Sequence, residues 1–322
     1  MRHMMKLLCV GLIVAAGSLV QAGEPTVPAD VSQYETVSGV SGNINSVGSD
    51  TLNNLMQYWS EGFVKLYPNV KFQVKGEGSA TAPPALTEGV AQLGPMSRAM
   101  KAEEMEAFEK KFGYKPTEIS VALDCLAVFV NKDNPVRGLT LPQIDSMFSQ
   151  TRKSGFRSID TWGGVGLTGE WASRPVTLYG RNSVSGTYAF FKEHALYKGD
   201  FKDTVKEQPG SAAVVNAVAN DLGGVGYSGI GYKTADVRVV PLAKTHESKL
   251  VEPTFENALD GSYPLGRALY VYVNKKPNEP LPLHVREFIK FVLSQEGQQI
   301  VVKDGFGALP ASVIGEQLSK IE

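Results

Sequence analysis

Short apolar runs of strand character alternate with amphipathic helical runs along almost the whole chain, and that alternation leaves few folds open to it. TLNNLMQYWSEGFVKLYP (51–68) puts Leu52, Leu55, Met56, Trp59, Phe63 and Leu66 on one helical face, and Pro68 ends the helix. VKFQVKG (70–76) alternates as a strand does. GEGSATAPPALTEGVAQ (76–92) reads as a turn and then a helix, since Pro83 and Pro84 are tolerated only in a first turn. LGPMS (93–97) is a brief strand, and Ser97 is the expected N-cap of a helix that Gly113 closes. A long apolar strand is expected over 119–130 and further strands at RPVTLYG (174–180), GGVGYSGIGY (223–232), ADVRVVPLA (235–243) and RALYVYVN (267–274). Between them lie helices capped by Thr140 and Ser211, and two more run from about 283 to 303. Such regular alternation predicts an α/β protein with largely parallel sheets, which bind ligands where strands end and helices begin.

The N-terminus is expected to lie outside the fold. Arg2 and Lys6 precede the apolar run Leu7–Ala16, and Val20-Gln21-Ala22 fits a signal-peptidase site, so cleavage is placed after Ala22 and a periplasmic destination is implied. The apolar run is too short for the roughly 20 helical residues that span a bilayer. Removing Arg2 and Lys6 from the 32 basic residues leaves 30 against 33 acidic ones, a mature net charge of −3. That balance gives no basic face for nucleic acid. Residues 23–42, rich in Pro, Ser, Gly and Val, read as a loose lead-in. Cys9 leaves with the signal, so Cys125 stands alone in VALDCLAVFV. No internal disulfide can form, no thiolate zinc site is available, and the residue reads as a small buried hydrophobe.

Four turns share one design. VGSDTL (47–52), GEGSAT (76–81) and RNSVSGT (181–187) each place Ser, Thr and Gly before an apolar-faced helix, and GPMSR (94–98) brings Ser97 to a similar position. A helix start carries unpaired N–H groups and a partial positive charge, so it suits an anion. If the four converge, they offer hydroxyls and backbone donors around one cation, Arg181, whose planar fork fits two oxygens of an oxyanion. Ser and Thr also cap helices for purely structural reasons, and Asp50 reads equally as an N-cap or first-turn acid for the helix after it.

The same stretches carry a resemblance. RNSVSGTYAFF, GEGSATAPPALTEGVAQLG, GGVGYSGIGY and YPLGRALYVYVN resemble, in order and spacing, the motifs of the periplasmic phosphate-binding proteins of ABC-type phosphate uptake systems. The resemblance runs from about residue 43 to the C-terminus. It implies a two-lobe periplasmic binding protein fold with two crossover strands as hinge: lobe one about 43–125 plus 266–322, lobe two about 126–265. It implies phosphate contacts from Arg181, Ser185, Gly186 and Thr187 in the second lobe. In the first lobe it implies contacts from Ser79, from Ser97, and from the turn Ser49-Asp50-Thr51. Some members of the family place an aspartate where Ser97 aligns, to accept the proton that phosphate carries and sulfate lacks; here Ser97 and Asp50 are the candidates for that acceptor. The implied partners are inorganic phosphate and an ABC permease in the inner membrane, for a monomer with no cofactor, no metal and no catalytic residue. Another oxyanion (sulfate, molybdate, arsenate), or phosphate binding for signalling or adhesion, is the alternative.

An enzyme reading finds little support in the residues. NSVSG lacks the first glycine of a nucleophile elbow, and His194 lies nine residues beyond Ser185, about 13 Å along a continuous helix. The glycines of GVGYSGIG begin a strand instead of ending one, so the dinucleotide fingerprint lacks its context.

Overall fold

The computed structural model of the chain describes residues 26–322, so the signal-peptide expectation lies outside the described residues. The chain begins with β1 (Gly42–Val47), α1 (Asn53–Leu66), β2 (Val70–Lys75), α2 (Ala82–Thr87), β3 (Gly94–Met96) and α3 (Ala102–Phe112). The long strand β4 (Thr117–Asn131) then leads into β5 (Leu139–Thr140), α4 (Leu141–Phe148), β6 (Thr177–Arg181), α5 (Gly186–His194) and β7 (Lys206–Gln208). Next come α6 (Ser211–Ala219), β8 (Gly224–Gly229), β9 (Val237–Val239), β10 (Leu242–Ala243) and α7 (Phe255–Leu259). β11 (Gly266–Val273) returns the chain to α8 (Leu283–Val292), α9 (Gln295–Lys303) and α10 (Ala311–Ser319).

The sheet is mixed, which corrects the largely parallel expectation. Its hydrogen-bonded order is β3-β11-β4-β8-β6-β7, with β9 on β4 and β1–β2 as a separate parallel pair. β11 runs antiparallel to both β3 and β4, and β4 runs antiparallel to β8 and β9, while β6 is parallel to β7 and β8. The reason is β4 itself. Its first part, to Cys125, pairs with β11, and its second, from Leu126, pairs with β8, so one strand joins the two halves of the sheet. A strand that carries the chain out beside the strand that brings it back must lie antiparallel to it, and strand spacing in the sequence carries no sign of direction.

Two large cores flank this crossing. One gathers buried residues from Val31 to Ala122 and again from Leu269 to Ile321; the other runs from Cys125 to Leu265. In the first, α1 buries Leu55, Met56, Trp59 and Phe63, with the Trp59 indole donating to the Gly297 carbonyl at 2.8 Å. Phe63 lies at the centre of an aromatic cluster with Tyr67, Phe72, Phe288 and Phe291, at ring separations of 4.8–6.2 Å. Leu66, expected on the same face, is left 42% exposed because the helix ends there. The lead-in is not loose. Val31 and Val40 are buried, the Tyr34 ring packs edge-on against Phe291, and its hydroxyl lies 2.8 Å from that of Tyr67. The Tyr34 N–H donates to Glu296 at 2.9 Å, so this segment is strapped across the C-terminal helices.

Cys125 is buried, as its apolar surroundings predict, and its thiol donates to the Thr254 carbonyl at 3.3 Å. Burial pushes the thiol pKa up, the opposite of what a nucleophile needs. Replacement by alanine is expected to cost about 1 kcal/mol and to leave ligand binding intact; loss of binding in a variant that still folds would overturn the structural role. Asp304, just beyond α9, has a buried Oδ2 with no partner among the described residues, and burial raises its carboxyl pKa to about 7. A carboxyl raised above its ordinary value of about 3.9 gives stability that is full below that value and lost as pH rises through about 7. Asp304→Asn is therefore expected to raise the thermal midpoint at pH 8 and to bring no gain near pH 4. Equal shifts at both pH values, read by calorimetry, would sink this.

Candidate functional site

The four Ser/Thr turns converge. In the first lobe, β1 ends at Val47 and the helix begins only at Asn53, so Gly48 to Leu52 form a turn. No side chain caps α1, which removes the capping explanation for Asp50. The turn is stitched to its neighbours: Ser49 N donates to Pro95 O and Gly78 N donates to Gly48 O, both at 2.7 Å. The Ser49 Oγ accepts from Thr51 N at 3.1 Å. The second turn passes through Gly78, at φ +117°, and opens at the buried Ser79. A Cβ on Gly78 would stand 2.8 Å from the Val184 carbonyl of the second lobe, so glycine is what allows that approach.

Ser97 is not an N-cap. Lys101 begins the helical turn, because Glu104 reaches back to the Lys101 N–H at 2.8 Å and holds Arg98 at 2.6 and 2.7 Å, keeping 98–101 out of the helix. Ser97 is released to face Ser79: its N–H donates to Ser79 Oγ at 3.0 Å and the two hydroxyls lie 3.2 Å apart. Ser211 likewise does not cap α6; it is the first helical residue, and the cap position is Gly210, which has no side chain to bond the helix start.

In the second lobe β6 ends at Arg181, and Ser185 is the N-cap of α5, accepting from Tyr188 N at 3.2 Å. The hydroxyl keeps its hydrogen for another acceptor. Gly186 and Thr187 open the helix and point at the first lobe. Thr187 Oγ1 lies 2.9 Å from Thr51 Oγ1, and a Cβ on Gly186 would fall 2.2 Å from Ser79 Oγ and 2.7 Å from Ser97 Oγ. Ala80 N donates to Val184 O at 3.1 Å, a backbone bond between the lobes. Thr51, Ser79, Ser97, Gly186 and Thr187 are thereby brought together, Ser49 takes part through its turn, and Ser185 stands next to Gly186 in the chain.

Arg181 is 3% exposed. Its Nη1 donates to Ser211 Oγ at 2.8 Å and stands 3.2 Å from Asp50 Oδ2. Its Nε is buried without a partner among the described residues. Burial lowers the guanidinium pKa and Asp50 opposes that shift; an arginine stays charged regardless. The site therefore holds a desolvated cation, paired on one side by Asp50 and Ser211, that keeps one donor free.

Sequence reasoning missed the second cation. Arg267, the second residue of β11, grips Asp124 of β4 through Nε at 2.8 Å and Nη2 at 2.7 Å. It also donates to the Ser97 carbonyl at 2.8 Å and to Thr187 Oγ1 at 3.1 Å. Both members of the pair are buried, so it ties the crossing strands to the hydroxyl cluster. The signal was present: a lone aspartate inside VALDCLAVFV is a charge that a buried strand can hold only with a partner. Tyr232 was also missed, and its hydroxyl donates to the carbonyls of Asp50 and Thr51 at 3.1 and 3.2 Å. A cleft of about 1170 Å³ between residues 98–103, α5 and β11 is lined by Arg267 and His194 but by none of the predicted site residues. His194 closes α5, its ring 4.2 Å from that of Phe190, and burial lowers its pKa. No group of three or more His, Cys, Asp or Glu among the described residues is placed to hold a metal ion.

A family model described as a PBP superfamily domain matches residues 34–296. The chain is 57% identical to the phosphate-binding protein PstS of Pseudomonas aeruginosa, over 99% of this chain and 98% of that one. Among solved structures, a phosphate ABC transporter substrate-binding protein from Clostridium perfringens with bound phosphate is 28% identical, with TM-score 0.70, covering 84% of this chain and all of the other. An ABC-type phosphate transport receptor from Vibrio cholerae, 22% identical with TM-score 0.65 over 83% of this chain and all of its own, shares the fold.

Proposed function

We propose, from the premise that this chain belongs to the PBP superfamily and to its phosphate-binding members, that it captures inorganic phosphate between two lobes and delivers it to an ABC-type uptake permease. The observations that carry the reading are the buried Arg181 with its unpartnered Nε and the hydroxyl pairs Thr51–Thr187 and Ser79–Ser97 that the turns bring together. In this reading Arg181 binds the anion through the free edge of its fork. Ser185, Thr187, Ser79 and Thr51 donate hydroxyl hydrogens, and the N–H groups of Gly186 and Thr187 face the anion at the start of α5. Ser97 supplies the remaining oxygen and accepts the ligand's proton, because its hydroxyl can accept as well as donate. Ser49 shapes the turn that presents Asp50 and Thr51.

The lobes, 43–125 plus 266–322 and 126–265, move about β4 and β11, and the anion favours the shut state because it bridges both. The role is binding without chemistry: among the described residues the Ser185 hydroxyl is bonded only by Tyr188 N–H, and no base is bonded to it. The chain acts as a monomer in the periplasm after cleavage behind Ala22. Calorimetric titration of residues 23–322, stripped of endogenous ligand, tests this with phosphate and then sulfate at two pH values. Tight phosphate binding with sulfate ignored is the expected result. Equal binding of sulfate would move the protein to a broader oxyanion role, and no binding of either would reduce the turns to helix caps.

A further inference from the structure

The motif RNSVSGT contains no carboxylate, so the counter-charge for Arg181 has to come from elsewhere, and it comes from the other lobe. Asp50, in the turn before α1, stands 3.2 Å from Arg181 Nη1 through Oδ2. The same oxygen accepts from the backbone N–H of Ser211 at 2.8 Å. That N–H is the first of α6, whose cap position is Gly210 and carries no capping side chain. The start of α6 is thus capped across the cleft, by a residue of the opposite lobe. Gly210 makes room for this: a Cβ there would stand 3.0 Å from Asp50 Oδ1. Ser211 Oγ completes a ring by accepting from Arg181 Nη1 at 2.8 Å, and Tyr232 fixes the backbone of the turn through the Asp50 carbonyl at 3.1 Å.

We infer that Asp50 is a positioning residue: a cross-lobe clasp that orients Arg181 and caps α6 when the lobes meet, and not the acceptor of the ligand's proton. The inference rests on the phosphate reading above. Its physical content is that Asp50 Oδ2 is already engaged from the second lobe, by the N–H of Ser211 and by the charge of Arg181. Only the shut arrangement gives the α6 start its carboxylate and Arg181 its counter-ion. The clasp therefore holds the shut state against reopening. It also fixes the guanidinium by one edge, which leaves Nε directed elsewhere. A clasp of this kind slows release and does not discriminate between anions of equal shape, whereas a proton acceptor discriminates and is defined by it.

The test is stopped-flow phosphate binding to wild type, Asp50→Ala and Asp50→Asn, with sulfate titrated in parallel and thermal unfolding as a check on folding. The alanine variant is expected to release phosphate at least tenfold faster, with association within twofold of wild type. The asparagine variant is expected to recover part of that loss, since its amide oxygen still accepts from Ser211 N–H. The preference for phosphate over sulfate is expected to be unchanged in both. Release at the wild-type rate in Asp50→Ala would overturn the clasp. So would a gain of sulfate binding in Asp50→Asn, which would make Asp50 the acceptor. If wild type binds no phosphate, the phosphate reading fails by itself. The clasp is then still decided by the distance between fluorophores on the two lobes of the stripped chain: longer in Asp50→Ala supports it, and identical distributions sink it.

Discussion

Gly186→Ala is expected to weaken phosphate binding at least a hundredfold while both lobes stay folded. The added methyl would lie 2.2 Å from Ser79 Oγ, 2.8 Å from Ser79 Cβ and 2.7 Å from Ser97 Oγ, distances that no rotation of one hydroxyl relieves. Ser79 cannot retreat cheaply, because its oxygen accepts the Ser97 N–H. The atoms nearest to the added methyl all belong to the first lobe. Gly186 is the first residue of α5, and alanine is the better helix former by about 1 kcal/mol. The substitution therefore separates two quantities that usually fall together: thermal stability should hold or rise while affinity collapses, and a calorimetric titration beside an unfolding curve reads both. Affinity within threefold of wild type would mean that the lobes do not meet at this point when the ligand is bound.

Arg181→Ala is expected to cost at least tenfold in phosphate affinity. Charge-assisted hydrogen bonds contribute about 1.5–3 kcal/mol each, and about 1.4 kcal/mol is a factor of ten. The loss goes further than the missing donors, because the Asp50 carboxylate, now without its cation, would remain near an anion. Arg181→Lys should recover only part, since a point charge cannot serve both edges that the guanidinium serves. Wild-type affinity in Arg181→Ala would remove the second lobe from the assignment.

What could be read in the sequence was local, and what could not was long-range. The α1 face apart from Leu66, the Gly113 close of α3, the Thr140 cap and the Ser185 turn depend on residues that are close along the chain, and they stand as expected. Ser97 and Ser211 looked like caps by the same local logic and are not. Glu104 claims the turn after Ser97, and the start of α6 is served by Asp50, 161 residues away. The directions of β4 and β11 depend on where the chain returns, which spacing does not encode. The Arg267–Asp124 pair was visible as a misplaced charge but not as a pair, because 143 residues separate its members. The strap at Tyr34 was hidden by the polar composition around it; its anchors lie up to 262 positions downstream.

The first lobe's core draws on both ends of the described chain, from Val31 to Ala122 and from Leu269 to Ile321, while the second lobe's core is one uninterrupted segment. This sets an order of assembly. The segment between Cys125 and Leu265 can collapse as soon as it is complete, with no contribution from residues beyond it. The first lobe has to wait for its last helices. The wait is shortened by the other lobe, because Cys125 and Gly266 lie paired where β4 and β11 adjoin. Once the second lobe has formed, the two halves of the first are no longer the ends of a long open loop but neighbours, and most of the entropy of closing that loop has already been lost. The lobe built from one continuous segment thus serves as a splint for the one built from two.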